Sequence, residues 1–233
     1  MEYVYFVFLL AAAVCTYIFM YKNGSLKMKM ITASMFLGAG LVLLLTGGRY
    51  TSPYCCVLFA GLCAAFTGDY TLRFDAFGMK GLPGIVCFAI AHILYICAFA
   101  LHTPPTLKTL WLLIPWAIIV TFFTWLGKAR LKINFGGTGP AVLIYAMIIT
   151  VMVLFGIRTG IYAFLQGDAL QKVKGMVLAF SVIVFMASDC GVCMQMFGNT
   201  QTFRIGKKEY SYNSFSSVTY FGAQMLIASA ITL

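Results

Sequence analysis

Charged residues are scarce in this chain, and acidic residues are scarcest of all. Of the 233 residues, 9% are charged and only six are Asp or Glu, whereas 62% are hydrophobic. A soluble globular domain carries about 25% charged residues. The composition therefore excludes an ordinary soluble domain and indicates an integral membrane protein.

Motifs of several common enzyme classes are also absent. No G-x-S-x-G run occurs, so a Ser-His-Asp hydrolase with a nucleophile elbow is not indicated. The chain has only two histidines, His92 and His102, which disfavours a zinc site, and we expect neither a metal nor a cofactor. Cys190 and Cys193 form a C-x-x-C, but on a membrane helix two cysteines at this spacing are more often small packing residues.

Long apolar runs fill most of the sequence. A membrane-spanning helix needs about 20 largely apolar residues, and eight runs approach or exceed that length. These runs are Tyr3–Tyr21, Met30–Thr46, Ser52–Leu72, Leu82–Leu101, Thr109–Leu126, Pro140–Phe164, Val173–Phe197 and Phe215–Leu233. The intervening loops are too short for a soluble domain. The sequence therefore predicts one all-α domain over residues 1–233, a bundle of eight transmembrane helices.

The net charge is +10, and the distribution of the basic residues among the loops indicates the topology. Most Lys and Arg residues lie in the first, third, fifth and seventh loops, and the positive-inside rule places such loops in the cytoplasm. We therefore expect a multi-pass protein of a bacterial inner membrane with both termini outside. Its partners would be membrane lipids, and nucleic-acid binding is not expected.

Two of the six acidic residues lie inside predicted spans. Asp69 lies near the end of the third span and Asp189 lies in the seventh, while His92 lies in the fourth. A carboxylate at the bilayer centre costs about 2.5–3.5 kcal/mol on insertion scales, and such residues usually face a functional cavity. The predicted topology places both aspartates in the cytoplasmic half of the membrane, where they could meet.

Polar side chains form stripes on four of the predicted helices. Phe88, His92 and Tyr95 share one face of the fourth helix, because residues three or four positions apart lie on the same side. The other polar stripes contain Thr67, Gly68 and Asp69; Ser181, Ser188 and Asp189; and Ser217, Tyr220 and Gln224. Lipid cannot satisfy such groups, so the stripes predict a common cavity inside the bundle.

Two carboxyl groups in one apolar cavity should not both ionise, because burial disfavours charge and like charges repel. The expected state is one carboxylic acid beside one carboxylate, which suits general acid–base hydrolysis without a metal. Three alternatives exist: a proton-coupled transporter with Asp69, His92 and Asp189 as its relay, an intramembrane aspartyl protease, and a structural bundle. The chain lacks the Tyr-Asp and Gly-x-Gly-Asp signatures of such a protease. A purely structural bundle would leave the polar stripes unexplained.

Short motifs recur in order across the predicted helices. These motifs are Gly68-Asp69, Phe77-Gly78, Phe88, His92, Tyr95, Ala98-Phe99, Ser188-Asp189, Tyr220, the run Ala223 to Ile227 and, more loosely, Tyr145 and Met152. By the order and spacing of these motifs, the sequence from about Cys63 to the C-terminus resembles the YhhN-like transmembrane lysoplasmalogenase family.

The resemblance implies hydrolysis of the vinyl ether bond of lysoplasmalogens, which are lysophospholipids. The products would be a fatty aldehyde and glycerophosphoethanolamine or glycerophosphocholine. Asp69 and Asp189 would form the acid/base pair, in either order. The expected substrate-binding residues are His92, Tyr95, Tyr145, Ser188, Tyr220 and Gln224. Basic residues at the cytoplasmic rim, such as Lys27, Lys29 or Arg73, would contact the phosphate.

Overall fold

The computed structural model describes residues 2–21, 25–76, 79–131, 133, 135–206 and 208–233, and this part of the chain is almost entirely helical. Its eight helices are α1 (Glu2–Tyr21), α2 (Leu26–Leu45), α3 (Pro53–Thr71), α4 (Leu82–His102), α5 (Leu107–Leu131), α6 (Gly139–Gln166), α7 (Ala169–Phe197) and α8 (Tyr212–Ser229). The all-α prediction is confirmed. Among the described residues, α2 to α7 are long and apolar enough to cross a membrane, and α1 contains a shorter apolar run, Val4–Phe19.

Local sequence signals mark the helix ends. Ser25 accepts a hydrogen bond from the Met28 N–H at the start of α2, and Asp168 does the same for Gln171 at the start of α7. Such caps satisfy backbone donors that the first helical turn leaves free. A proline lies in the first turn of α3, α4 and α6, where its missing N–H is harmless.

Six helices pack in a closed ring. The order around the ring is α2, α3, α4, α6, α7 and α8, and α8 returns to α2. Helix α1 packs outside the ring against α2 and α8, whereas α5 packs mainly against α6 and is largely exposed. The centre of the ring is therefore enclosed by protein, which permits polar groups at membrane depth.

Glycines let the ring helices approach closely. A Cβ atom at Gly160 of α6 would lie 2.4 Å from the carbonyl oxygen of Gly175 on α7. At Gly61 of α3, a Cβ atom would lie 2.4 Å from the ring of Tyr95 on α4. Small residues at such crossings give van der Waals packing, which drives helix association in lipid.

Two short hairpins lie at the same end of the bundle. Strands β1 (Asp75–Ala76) and β2 (Met79–Lys80) connect α3 to α4, and β3 (Thr202–Ile205) pairs antiparallel with β4 (Lys208–Ser211) between α7 and α8. The sequence predicted loops at both segments. The motif Phe77-Gly78 lies outside the described residues.

Candidate active site

A cavity of about 1020 Å³ lies inside one end of the bundle. Every helix contributes to its wall, mainly from the half nearest the α1–α2, α3–α4, α5–α6 and α7–α8 connections. Most lining side chains are apolar, and both Asp69 and Asp189 are among the polar exceptions. Ligand pockets typically measure about 300–1,000 Å³, so this cavity can hold a molecule as large as a single-chain lipid.

Asp69 is buried, with 3% of its surface exposed, and partners occupy both of its carboxylate oxygens. The Lys29 Nζ atom lies 3.0 Å from Oδ1, and the Tyr220 hydroxyl donates a 2.6 Å hydrogen bond to Oδ2. Lys29 lies in the first turn of α2 and Tyr220 lies on α8, so three helices meet at this carboxylate. An ammonium group and a hydrogen-bond donor both favour the ionised form of a carboxyl group. Burial opposes that form, and Lys29 and Tyr220 are the two groups placed to offset its cost.

Hydrogen bonds extend from Asp69 to the middle of the bundle. The Gln224 Nε2 atom contacts the Tyr220 hydroxyl at 3.5 Å, and the Tyr95 hydroxyl donates to Gln224 Oε1 at 2.8 Å. Tyr95 and Gln224 have no exposed surface. These hydrogen bonds fix the orientation of the Tyr220 ring. Gly61 has no side chain and so leaves space for the ring of Tyr95.

Asp189 has a different environment. The Tyr145 hydroxyl donates a short hydrogen bond to its Oδ2 atom. The His92 Nε2 atom lies 2.9 Å from the Tyr145 hydroxyl and 3.5 Å from Asp189 Oδ2. Since the Tyr145 proton points at Asp189, the phenol oxygen accepts from the Nε2–H of His92. No hydrogen bond to Asp189 Oδ1 is found within the described part of the chain, and this side chain is 16% exposed.

The eight predicted site residues lie in two layers, from the cavity wall to the middle of the bundle. Beside the two aspartates, only Tyr145 and Tyr220 of the predicted substrate-binding residues line the cavity. The other four, His92, Tyr95, Ser188 and Gln224, lie behind them. The Ser188 hydroxyl donates to the backbone carbonyl of Ser216 at 2.9 Å, joining α7 to α8. Their substrate-binding role stays a prediction, and the geometry favours a positioning role for these four.

Sequence reasoning missed the Lys29–Asp69 pair. It assigned Lys29 to the rim as a phosphate contact, because it treated the lysines before α2 only as loop charges. One signal was available. An unpaired carboxylate is costly to bury, so a basic residue near membrane depth, such as Lys29, is the expected partner of Asp69. It also missed the amides of Gln195, Gln201 and Asn213, which line the cavity.

Groups of metal-binding residues are not found in the part of the chain that the structure describes: no three His, Cys, Asp or Glu side chains could hold an ion together. All eight cysteines are free. Cys190 and Cys193 line the cavity wall on α7, where they add small, weakly polar surface.

Comparison with known protein families gives a match over most of the chain. The model of one protein family, described as YhhN family, matches residues 28–231. No curated protein and no solved structure match the chain. The matched residues include both aspartates, Lys29 and every predicted substrate-binding residue.

Proposed function

This chain belongs to the YhhN family, and on that premise we propose that it is a membrane-embedded hydrolase for the vinyl ether bond of lysoplasmalogens. The family is compatible with a hydrolase of this type. One observation carries the proposal: two aspartates with unequal environments line one lipid-sized cavity. The products would be a fatty aldehyde and glycerophosphoethanolamine or glycerophosphocholine.

Vinyl ether cleavage requires an acid rather than a nucleophile. Protonation of the outer alkenyl carbon gives an oxocarbenium ion, and water then adds to the carbon that bears the oxygen. The hemiacetal collapses to the aldehyde and the glycerol hydroxyl, so one water molecule is consumed for each ether bond cleaved. By analogy, glycosidases use two carboxyl groups against a similar cation.

Asp189 is the better candidate for the proton donor. Because its Oδ2 atom accepts from Tyr145, a proton on this carboxyl group would sit on Oδ1, the oxygen without a partner among the described residues. After donating that proton to carbon, the Asp189 carboxylate can accept one from the attacking water. Tyr145 and His92 would hold the carboxyl group in place and share its charge.

Asp69 is suited to the complementary role. Lys29 and Tyr220 each contact one of its oxygens, an arrangement that favours a carboxylate over a proton donor. A fixed carboxylate in an apolar cavity stabilises a cation that develops nearby, because preorganised charges act strongly where water is excluded. Before substrate binds, Lys29 compensates the negative charge, which reduces the free-energy cost of burying this carboxylate at membrane depth.

The decisive experiment measures aldehyde release by purified protein in detergent. A lysoplasmalogen and a 1-acyl lysophospholipid with the same headgroup are offered side by side to the wild type and to Asp189→Asn. Glu209→Gln is the matched control, because Glu209 is exposed on β4 and does not line the cavity. We expect aldehyde from the vinyl ether alone, and a loss of about 10²–10⁴-fold in kcat for Asp189→Asn, the usual range for general acid catalysis.

Two results would overturn the proposal. The first is folded wild-type protein that releases no aldehyde, which would favour the transporter and lead to proton-flux assays in liposomes. The second is Asp189→Asn with the activity of Glu209→Gln, which would remove Asp189 from the chemistry.

A further inference from the structure

Among the described residues that line the cavity, one basic side chain is not paired with a carboxylate. Lys29 lines the cavity, but its ammonium group is paired with Asp69 at 3.0 Å. Lys27 is exposed and does not line the cavity. Arg73, just after the end of α3, lines the cavity and makes no salt bridge within the described residues.

Arg73 is held in position by two aromatic rings. Its guanidinium carbon lies 5.0 Å from the ring centroid of Tyr70 and 4.7 Å from that of Phe74. Stacking on aromatic faces orients an arginine while its N–H groups stay free to bind an anion. The planar guanidinium group is the side chain best matched to phosphate oxygens.

Neutral amides complete this end of the cavity. The Gln195 side chain donates to Asn213 Oδ1 at 3.3 Å, and Gln201 donates to the Gln195 carbonyl at 3.3 Å. The Asn213 NH₂ group has no partner among the described residues, and all three amides line the cavity. Amide donors suit hydroxyl and phosphate oxygens equally well.

The spacing along α3 agrees with the length of a glycerol unit. Arg73 follows Asp69 by four residues, and the chain stays helical through the C-cap Leu72. Four residues of helix rise about 6 Å, and residues four apart lie on one face. In a lysophospholipid, three glycerol carbons and two oxygens separate the phosphorus from the hydrocarbon chain that is attached at the first glycerol carbon.

We propose that Arg73, together with the amides of Gln195, Gln201 and Asn213, forms the subsite for the phosphate of a lysophospholipid headgroup. This inference rests on the proposed function for the identity of the lipid. Phosphate at Arg73 sets the depth of the glycerol, so that the bond on its first carbon lies beside Asp69 and Asp189. The hydrocarbon chain then extends into the apolar part of the cavity.

The test uses a lipid that binds without being cleaved. A 1-O-alkyl lysophosphatidylethanolamine, whose saturated ether resists acid cleavage, is titrated against wild type, Arg73→Gln and Arg204→Gln in detergent. The 1-O-alkylglycerol with the same chain, which lacks phosphate, is titrated in parallel. Arg204 is the matched control, because it is exposed on β3 and does not line the cavity.

We expect Arg73→Gln to weaken binding of the phospholipid about 10-fold or more, since it removes a charge-assisted contact. Binding of the alkylglycerol should not change, and Arg204→Gln should match wild type for both lipids. Arg73→Gln with unchanged phospholipid binding, or with equal losses for both lipids, would overturn the subsite. Because the assay needs no turnover, it separates failure of this inference from failure of the proposed reaction, which aldehyde release tests with the vinyl ether substrate.

Discussion

At the scale of single residues, Asp69 and Asp189 differ in what occupies their oxygens. Asp69 is held by a lysine and a phenol, whereas Asp189 receives one phenol hydrogen bond and its Oδ1 atom has no partner among the described residues. The sequence predicted two carboxyl groups in one cavity with one proton between them, but in either order. It could not assign the order, because the assignment depends on how α2 and α6 are rotated toward α3 and α7.

The Lys29–Asp69 pair gives a prediction about stability and activity. Removing one partner of a buried ion pair leaves an unpaired charge and costs about 3–5 kcal/mol. Lys29→Met should therefore lower both the melting temperature and kcat. The double variant Lys29→Met/Asp69→Asn should recover stability, since no charge is left unpaired, without recovering activity. Thermal unfolding and aldehyde release measure the two effects.

Lys27→Met is the control for this series, because Lys27 lies two residues earlier in the same helical turn and is exposed. Its melting temperature and kcat should match wild type. If Lys29→Met behaves as Lys27→Met does, the salt bridge has no role in the site.

At the scale of elements, the bounds of the eight helices agree with the apolar runs to within a few residues. The agreement has a physical reason: in lipid every backbone group must be satisfied within its own helix, so span length follows hydrophobic length. The hairpin between β3 and β4 was not predicted, because its strands are short and mostly polar. The partial burial of α1 and α5 was not predicted either, since a sequence does not reveal which apolar helix stays outside a ring.

The α6–α7 crossing gives the second prediction. A Cβ atom at Gly160 would meet the Gly175 carbonyl at 2.4 Å, and a backbone atom cannot move aside as a side chain does. Gly160→Ala should therefore lower stability by about 1–3 kcal/mol, the usual cost of overpacking. Gly222→Ala on α8 is the control, because its Cβ atom would meet nothing within 4 Å.

Thermal unfolding in detergent distinguishes the two variants. Gly222→Ala should be neutral or slightly stabilising, since alanine is the better helix former. A Gly160→Ala protein as stable as Gly222→Ala would show that the two helices do not cross as closely as described.

At the scale of the whole molecule, the ring and the weakly packed α5 enclose a cavity. Its wall is polar at Arg73, at the three amides and around the two aspartates, and mostly apolar elsewhere. Val120 on α5 is buried and lines the apolar part, whereas Ile118 on the same helix is 65% exposed and does not. A larger side chain on this wall should reduce the length of the hydrocarbon chain that the cavity can hold. Val120→Trp should therefore raise KM for a substrate with an 18-carbon chain more than for one with an 8-carbon chain.

Ile118→Trp is the matched control and should leave both KM values unchanged, because its side chain faces away from the cavity. The ratio of the two KM values, measured by aldehyde release, reports chain fit independently of the total amount of active protein. An unchanged ratio in Val120→Trp would mean that the hydrocarbon chain lies elsewhere.

The placement of the cavity in one half of the bundle has a consequence for the two faces of the bilayer. The helices contribute to its wall mainly from the same half, so under the proposed function only the leaflet at that end would deliver lipid to the aspartates. The water-soluble glycerophosphodiester would leave into the compartment on that side, while the aldehyde would enter the hydrocarbon. With the predicted topology this is the cytoplasmic leaflet. In sealed vesicles holding the protein in one orientation, substrate in the opposite leaflet is consumed only as fast as it flips.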